Sequence, residues 1–67
     1  MENIASNDVV GRRCLLLKPV RDHDGVARFK EKPIIVREVN NLGRRMFLVK
    51  FADGGTTFLF PEEVNVE

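Results

Sequence analysis

Residues 44–61 read RRMFLVKFADGGTTFLFP and decide the fold of this chain. Two apolar runs flank Asp53-Gly54-Gly55, and four of the five phenylalanines of the chain lie within this stretch. Asp-Gly and Gly-Gly pairs supply the positive φ angles that tight two-residue turns require. The stretch therefore predicts a β-hairpin with one face packed against a core.

The register of this hairpin depends on the length of its turn. Side chains alternate across a strand, and a two-residue turn pairs odd positions with even ones. This pairing predicts that one face is packed against the core and consists of Phe47, Val49, Phe51, Phe58 and Phe60. The opposite apolar face then consists of Met46, Leu48 and Leu59. A bulged turn would shift the pairing by one residue and exchange Phe58 with Leu59.

The rest of the chain is predicted to form short strands separated by turns. β-Branched and apolar runs alternate with Gly, Pro, Asn and Asp, which is typical of strands joined by turns. Pro61-Glu62-Glu63 predicts one 3₁₀ turn, because Pro suits its first position and acids suit its positive end. The other predicted segments are a disordered tail over 1–8, a strand over 12–18, a long charged connection over 20–32, a strand over 34–39, a turn over 40–43 and a closing strand over 64–66.

Three stretches carry this layout: VGRR over 10–13, LVKFADGGTT over 48–57 and FPEEV over 60–64. In this order they resemble the Tudor-type and KOW-type members of the SH3-like barrels. The resemblance implies an all-β fold, a small five-stranded SH3-like barrel over 9–67 with one 3₁₀ turn before the last strand. An OB-like barrel is the second choice, and it normally needs a longer chain.

Size and cysteine content constrain the class of protein. Sixty-seven residues form one small domain with a thin stability margin. The single cysteine, Cys14, excludes an internal disulfide, and the apolar run CLLL around it predicts a reduced, buried thiol. Together with the lack of a signal-peptide pattern and of an apolar run of about 20 residues, this predicts a cytoplasmic protein.

The sequence shows no set of residues with catalytic chemistry. His23 lies between Asp22 and Asp24 in the long connection, which favours a solvated turn over a metal site with three protein ligands. Cys14 is interpreted as a structural thiol rather than a nucleophile. We therefore expect no enzyme, no cofactor and no metal. The aromatic cage of Tudor-type domains is not expected either, because the chain has no Trp or Tyr.

The leading functional hypothesis is a non-enzymatic module for protein–protein interaction, either an accessory subunit or a homo-oligomer. The apolar face opposite the phenylalanines would form an exposed patch suited to a partner protein. Phe29, in the long charged connection, is interpreted first as a plug that closes the barrel end and second as an exposed contact residue. The candidate partner-binding residues are Met46, Leu48, Leu59 and Phe29.

The alternative hypothesis is an RNA- or DNA-binding barrel. All eleven Lys and Arg residues fall between Arg12 and Lys50, a span with four acids, whereas six acids lie outside it. A basic side produced in this way would bind the phosphates of a nucleic acid. The candidate residues are Arg12, Arg13, Arg28, Lys30, Lys32, Arg44 and Arg45. A net charge of only +1 and few aromatic residues for base stacking argue against it.

Overall fold

The computed structural model describes residues 8–67, which form seven strands and one short 3₁₀ turn. The strands are β1 (Cys14–Leu16), β2 (Val20–Arg21), β3 (Ala27–Arg28), β4 (Ile34–Asn41), β5 (Arg44–Lys50), β6 (Thr56–Leu59) and β7 (Val64–Val66). The 3₁₀ turn, Pro61–Glu63, directly precedes β7, as the sequence predicts. Of the tail predicted over 1–8, residues 1–7 lie outside the described residues. Within 8–67 there is no helix with the length and apolar character to cross a membrane.

The strands form three open antiparallel sheets, ordered β4-β5-β6, β1-β7 and β2-β3. Backbone hydrogen bonds connect them: the Cys14 N–H donates to the Pro33 carbonyl over 3.0 Å, and the His23 N–H donates to the Thr56 carbonyl over 2.8 Å. The predicted all-β class is confirmed. The arrangement over 8–67 differs from the prediction in that the sheets are open and no closed five-stranded barrel is shown.

The turn between β5 and β6 has three residues instead of the predicted two. The Phe51 N–H donates to the Gly55 carbonyl over 2.7 Å, which leaves Ala52, Asp53 and Gly54 in the turn. Gly54 has a φ of 95°, the left-handed conformation that closes a three-residue hairpin turn. The predicted register is therefore wrong by one residue.

The observed register decides which face of the three-stranded sheet is buried. Phe47 pairs with Leu59 and Leu48 pairs with Phe58, so Leu59 lies with Phe47 and Val49 on the buried side. The prediction that Leu59 shares a face with Met46 and Leu48 is wrong, and Leu59 is only 3% exposed. We name the buried side the inner face and the opposite side the outer face. The inner face forms one core with residues from other parts of the chain, among them Val9, Cys14, Leu16, Phe51 and Val64.

The long connection predicted over 20–32 contains a small hairpin of its own. Val20 pairs with Arg28, and Arg21 pairs with Ala27. The side chain of Asp22 organises the turn between them, because its Oδ1 accepts the backbone N–H groups of Asp24 and Val26, each over 2.9 Å. An aspartate that binds nearby backbone amides in this way is a common turn device. The connection is thus an ordered hairpin with a buried carboxylate at its base.

Candidate interaction surface

The outer face carries four neighbouring apolar side chains, Val39, Met46, Leu48 and Phe58, which we name the outer strip. Val39 pairs with Met46, and Leu48 pairs with Phe58. Paired residues on one face of an antiparallel sheet have Cβ atoms about 4.5–5.5 Å apart, so the four side chains adjoin. Phe58 is 49% exposed, and with Val39 and Met46 it lines a hollow of about 300 Å³.

The charged residues beside the outer strip are cations. Arg37 pairs with Leu48, and Arg44 and Lys50 lie at the two ends of β5 on the same face. No carboxylate occupies an outward position of β4, β5 or β6, because Glu38 pairs with the buried Phe47 and so points to the inner side. The outer face therefore combines an apolar centre with a positive rim.

A second hollow, of about 330 Å³, lies at the end of the outer face where β4 begins. Arg13 forms a bridge with Ile34, and Ile34 pairs with Lys50, so two cations flank one exposed aliphatic side chain. Val36, exposed at a β-bulge in β4, and Lys32 also line the hollow. We name these five residues the basic groove.

The candidate partner-binding residues lie in three different places. Met46 and Leu48 belong to the outer strip, whereas Leu59 belongs to the core. Phe29 is 48% exposed and follows β3, outside the three-stranded sheet. The sequence prediction missed Phe58 as an outward residue, and the signal that would have found it is a three-residue turn.

The candidate nucleic-acid residues are also dispersed. Arg13 and Lys32 lie at the basic groove. Arg44 and Arg45 begin β5, roughly 20 Å from Lys50 at its other end. Three of the candidates form ion pairs with carboxylates: Lys32 with Glu67 at 2.8 Å, Arg44 with Glu62 at 3.3 Å and Arg45 with Glu38 at 2.7 Å.

Arg28 is buried, and three carboxylates surround its guanidinium group. Nη2 donates to Asp22 Oδ2 over 2.7 Å and to Asp53 Oδ2 over 2.9 Å, and Nη1 donates to Glu31 Oε1 over 3.3 Å. The guanidinium carbon also lies 4.5 Å from the ring centroid of Phe51. We name Asp22, Arg28, Glu31 and Asp53 the Arg28 cluster. It connects the β2–β3 hairpin to the β5–β6 turn, so Arg28 stabilises the fold and is not presented to a phosphate.

Hydrogen bonds within the Arg28 cluster shift the pKa values of Asp22, Asp53 and Arg28. Burial alone would raise the pKa of Asp22, but hydrogen bonds from Arg28 and from the amides of Val26 and Asp24 outweigh it and lower that pKa. The pKa of Asp53 is lowered by the hydrogen bond from the Gly55 amide and by Arg28. Hydrogen bonds with Asp22 and Asp53 raise the pKa of Arg28. Asp22, Asp53 and Arg28 are therefore ionised at neutral pH.

Cys14 and His23 occupy different environments. Cys14 is completely buried in β1, and burial raises the pKa of its thiol to about 11. A protonated, inaccessible thiol is a poor nucleophile, so this environment favours the structural interpretation. His23 is exposed in the β2–β3 turn. Among residues 8–67, no three His, Cys, Asp or Glu side chains are grouped so that they would hold a metal ion.

Comparison with family models, with curated proteins and with solved structures finds no match for this chain. The functional interpretation therefore depends on the surfaces described above. Of these, the outer strip and the adjoining basic groove are accessible, whereas the inner face and Arg28 are not.

Proposed function

We propose that this chain is a non-enzymatic protein-interaction domain that binds an acidic partner protein through its outer face. The observation that carries the proposal is an apolar strip on the outer sheet face, with Phe58 exposed on its edge strand and the cations Arg37 and Lys50 beside it. Interface centres are enriched in aromatic residues and Met, and complementary charge at the rim selects the partner.

The proposal includes membership of the SH3-like class. Its support is the antiparallel pairing of the first and last strands, Cys14 with Val66 and Leu16 with Val64. Further support is the β4-β5-β6 order and the 3₁₀ turn before β7. A cytoplasmic location is part of the same proposal, because a free buried cysteine suits a reducing compartment.

The charge of the outer face favours a different protein over a second copy of this chain. Two copies packed through their outer strips would bring the same set of cations together, and like charges at an interface oppose association. A partner with carboxylates around an apolar side chain would contact the outer strip with that side chain and pair its carboxylates with the surrounding cations. We therefore propose a heteromeric complex and expect the isolated domain to be monomeric in light scattering.

The RNA- or DNA-binding alternative has less support. Its seven candidate residues include the buried Arg28 and three cations already paired with carboxylates. Backbone binding depends on several cations that reach phosphates together. Dispersed and internally neutralised cations offer less of that attraction than one continuous basic surface would.

The test uses a photo-crosslinking amino acid, benzoylphenylalanine, at position 58 in an extract of the source cells. The captured protein is then purified and its affinity for the domain is measured by calorimetry. We expect crosslinks in an acidic segment, and Phe58→Ser should weaken binding by at least about tenfold, as loss of a central aromatic contact does. Higher salt should weaken binding further.

Phe29 provides a matched control, because it is the same residue type with the same exposure, 48% against 49% for Phe58. Benzoylphenylalanine at position 29 should not capture the same protein, and Phe29→Ser should leave its affinity within about twofold of the wild type. Equal capture from both positions, or equal affinity of Phe58→Ser and wild type, contradicts the proposal.

A further inference from the structure

The basic groove has a geometry that the outer strip lacks. Arg13, Ile34 and Lys50 lie side by side in three adjacent segments, because Ile34 bridges to Arg13 on one side and pairs with Lys50 on the other. Adjacent strands are about 4.8 Å apart, so the backbones of Arg13 and Lys50 lie roughly 10 Å apart on either side of the aliphatic Ile34. Val36 extends that floor along β4.

The cations of the groove are held in position from within the chain. Arg13 Nη1 donates to the Lys32 carbonyl over 3.3 Å. The carboxylate of Glu67 lies 2.8 Å from Lys32 Nζ, so one acidic side chain of this chain already binds at the rim. This internal pair is an example of a carboxylate bound by a cation of the groove.

We propose that the basic groove binds an extended acidic segment of the partner protein, with carboxylates on Arg13 and Lys50 and an apolar side chain on Ile34 and Val36. The proposal rests on the proposed function, because it assigns the acidic part of the same partner to a defined place. Side chains of an extended peptide share a face only at every second residue, so an acid, an apolar residue and a second acid that all face the groove occupy positions i, i+2 and i+4. The two acids are then about 13 Å apart, and the long side chains of Arg13 and Lys50 cover the difference from their backbone spacing. The expected motif is therefore an acid, any residue, an apolar residue, any residue and a second acid.

An acidic peptide fits this groove better than a nucleic acid does. Recognition of single-stranded nucleic acid depends on aromatic side chains on which bases stack. The exposed floor consists of Ile34 and Val36, and Phe51, the aromatic residue that lines the hollow, is only 2% exposed. A short groove flanked by Arg13 and Lys50 suits two carboxylates rather than a continuous phosphate backbone.

The experiment is a titration of the ¹⁵N-labelled chain with the probe peptide Ac-GGETVTEGG-NH₂, followed by amide chemical shifts. The neutral peptide Ac-GGQTVTQGG-NH₂, the basic peptide Ac-GGKTVTKGG-NH₂ and a decamer of single-stranded oligouridine are titrated in parallel. We expect the acidic peptide to shift the amides of Arg13, Ile34 and Lys50, and to bind more tightly than the other three ligands. No shift in the groove at millimolar peptide, equal binding of the basic peptide, or tighter binding of the oligouridine at the same amides overturns the proposal.

Two variants locate the binding site and separate this proposal from the preceding one. Charge reversal in the double variant Arg13→Glu/Lys50→Glu should weaken the acidic peptide by at least about tenfold. The double variant Arg21→Glu/Lys30→Glu is the control, because it makes the same two charge reversals at exposed positions outside the groove. Phe58→Ser should still bind the acidic peptide. If the peptide fails to bind while benzoylphenylalanine at position 58 captures the partner, the groove proposal alone is wrong. If the peptide binds while position 58 captures no partner, the proposal for the outer strip alone is wrong.

Discussion

The inner and outer faces of the three-stranded sheet contain similar apolar side chains in different surroundings. On the inner face, Ile35, Phe47, Val49 and Leu59 are at most 3% exposed and share a core with residues of β1 and β7. On the outer face, Phe58 lies next to Leu59 in β6 and is 49% exposed. The comparison teaches that apolar composition alone does not make a strand face part of the core, because a second layer must also cover it.

The charges of the two faces differ in a parallel way. At the edge of the core, Arg28 contacts three carboxylates, since a buried charge without a partner is strongly unfavourable. On the outer face, the cations Arg37 and Lys50 stand beside apolar residues and are exposed to solvent, which hydrates a charge well. The buried charges of the Arg28 cluster thus maintain the fold, whereas the exposed cations of the outer face belong to the surface proposed to bind.

Removal of a large inner side chain should have the largest effect. Phe47→Ala removes a ring that is 2% exposed and leaves a cavity in the core. We expect the free energy of unfolding to fall by about 3–5 kcal/mol, which is a large share of the stability of a small domain. Urea unfolding followed by circular dichroism measures the change. A loss below about 1 kcal/mol would mean that the inner face is not the core.

Loss of the central cation should have the next largest effect. Arg28→Met leaves the buried carboxylate of Asp22 without its counter-ion, and we expect the Tm to fall by more than about 10 °C. The double variant Asp22→Asn/Arg28→Met removes both charges and should recover part of this loss. If the single variant melts within 2 °C of the wild type, on the order of experimental scatter, the Arg28 cluster does not stabilise the fold.

Acidification should destabilise the wild type through the same cluster. The folded state lowers the pKa of Asp22 and Asp53 below the ordinary value of 3.8, so the unfolded state takes up protons first as the pH falls. This contribution to stability is complete above that value and is lost as the pH falls toward the folded pKa. Urea unfolding at pH values from 6 to about 2.5 should show a steeper loss for the wild type than for Asp22→Asn. Equal slopes would contradict this assignment.

The sequence was sufficient for the fold class but not for the face that each phenylalanine occupies. The alternating runs and turn residues identify the strands, because those patterns are local. The register depends on whether the turn has two residues or three, and the Asp53-Gly54-Gly55 sequence is compatible with both lengths. The turn has three residues, Ala52 to Gly54, with the positive φ at Gly54. That single residue moves Phe58 to the surface and Leu59 into the core.

The Arg28 cluster was beyond sequence reasoning for a different reason. Arg28 and Asp53 are 25 residues apart, and nothing in the local pattern indicates that they meet. The sequence contains eleven basic residues, and nothing in it distinguishes Arg28 from a basic residue at the surface. Only the folded chain places its guanidinium group between the β2–β3 turn and the β5–β6 turn. The dispersal of the other cations is equally a property of the tertiary structure.

Gly55 should be needed for space rather than for its backbone conformation. A Cβ atom at this position would lie 2.6 Å from Arg28 Nη2 and 3.0 Å from Asp22 Oδ2. Gly55→Ala should therefore cost about 1–3 kcal/mol by displacing the guanidinium group from its carboxylates. In an Arg28→Met background the same substitution should cost less than about 0.5 kcal/mol, because the displaced group is absent. Equal costs in the two backgrounds would show that Arg28 is not the obstacle.

Removal of the exposed ring should have the smallest effect on stability. Phe58 is next to Leu59 and on the same hairpin as Phe47, but its side chain lies on the outer face. Phe58→Ala removes that exposed ring. We expect a change of less than about 1 kcal/mol in the free energy of unfolding, since an exposed strand position contributes through cross-strand contacts alone. The urea experiment used for Phe47→Ala measures it. If Phe58→Ala destabilises as much as Phe47→Ala, part of the chain covers the outer strip in solution, and Phe58 then belongs to the core instead of to a binding surface.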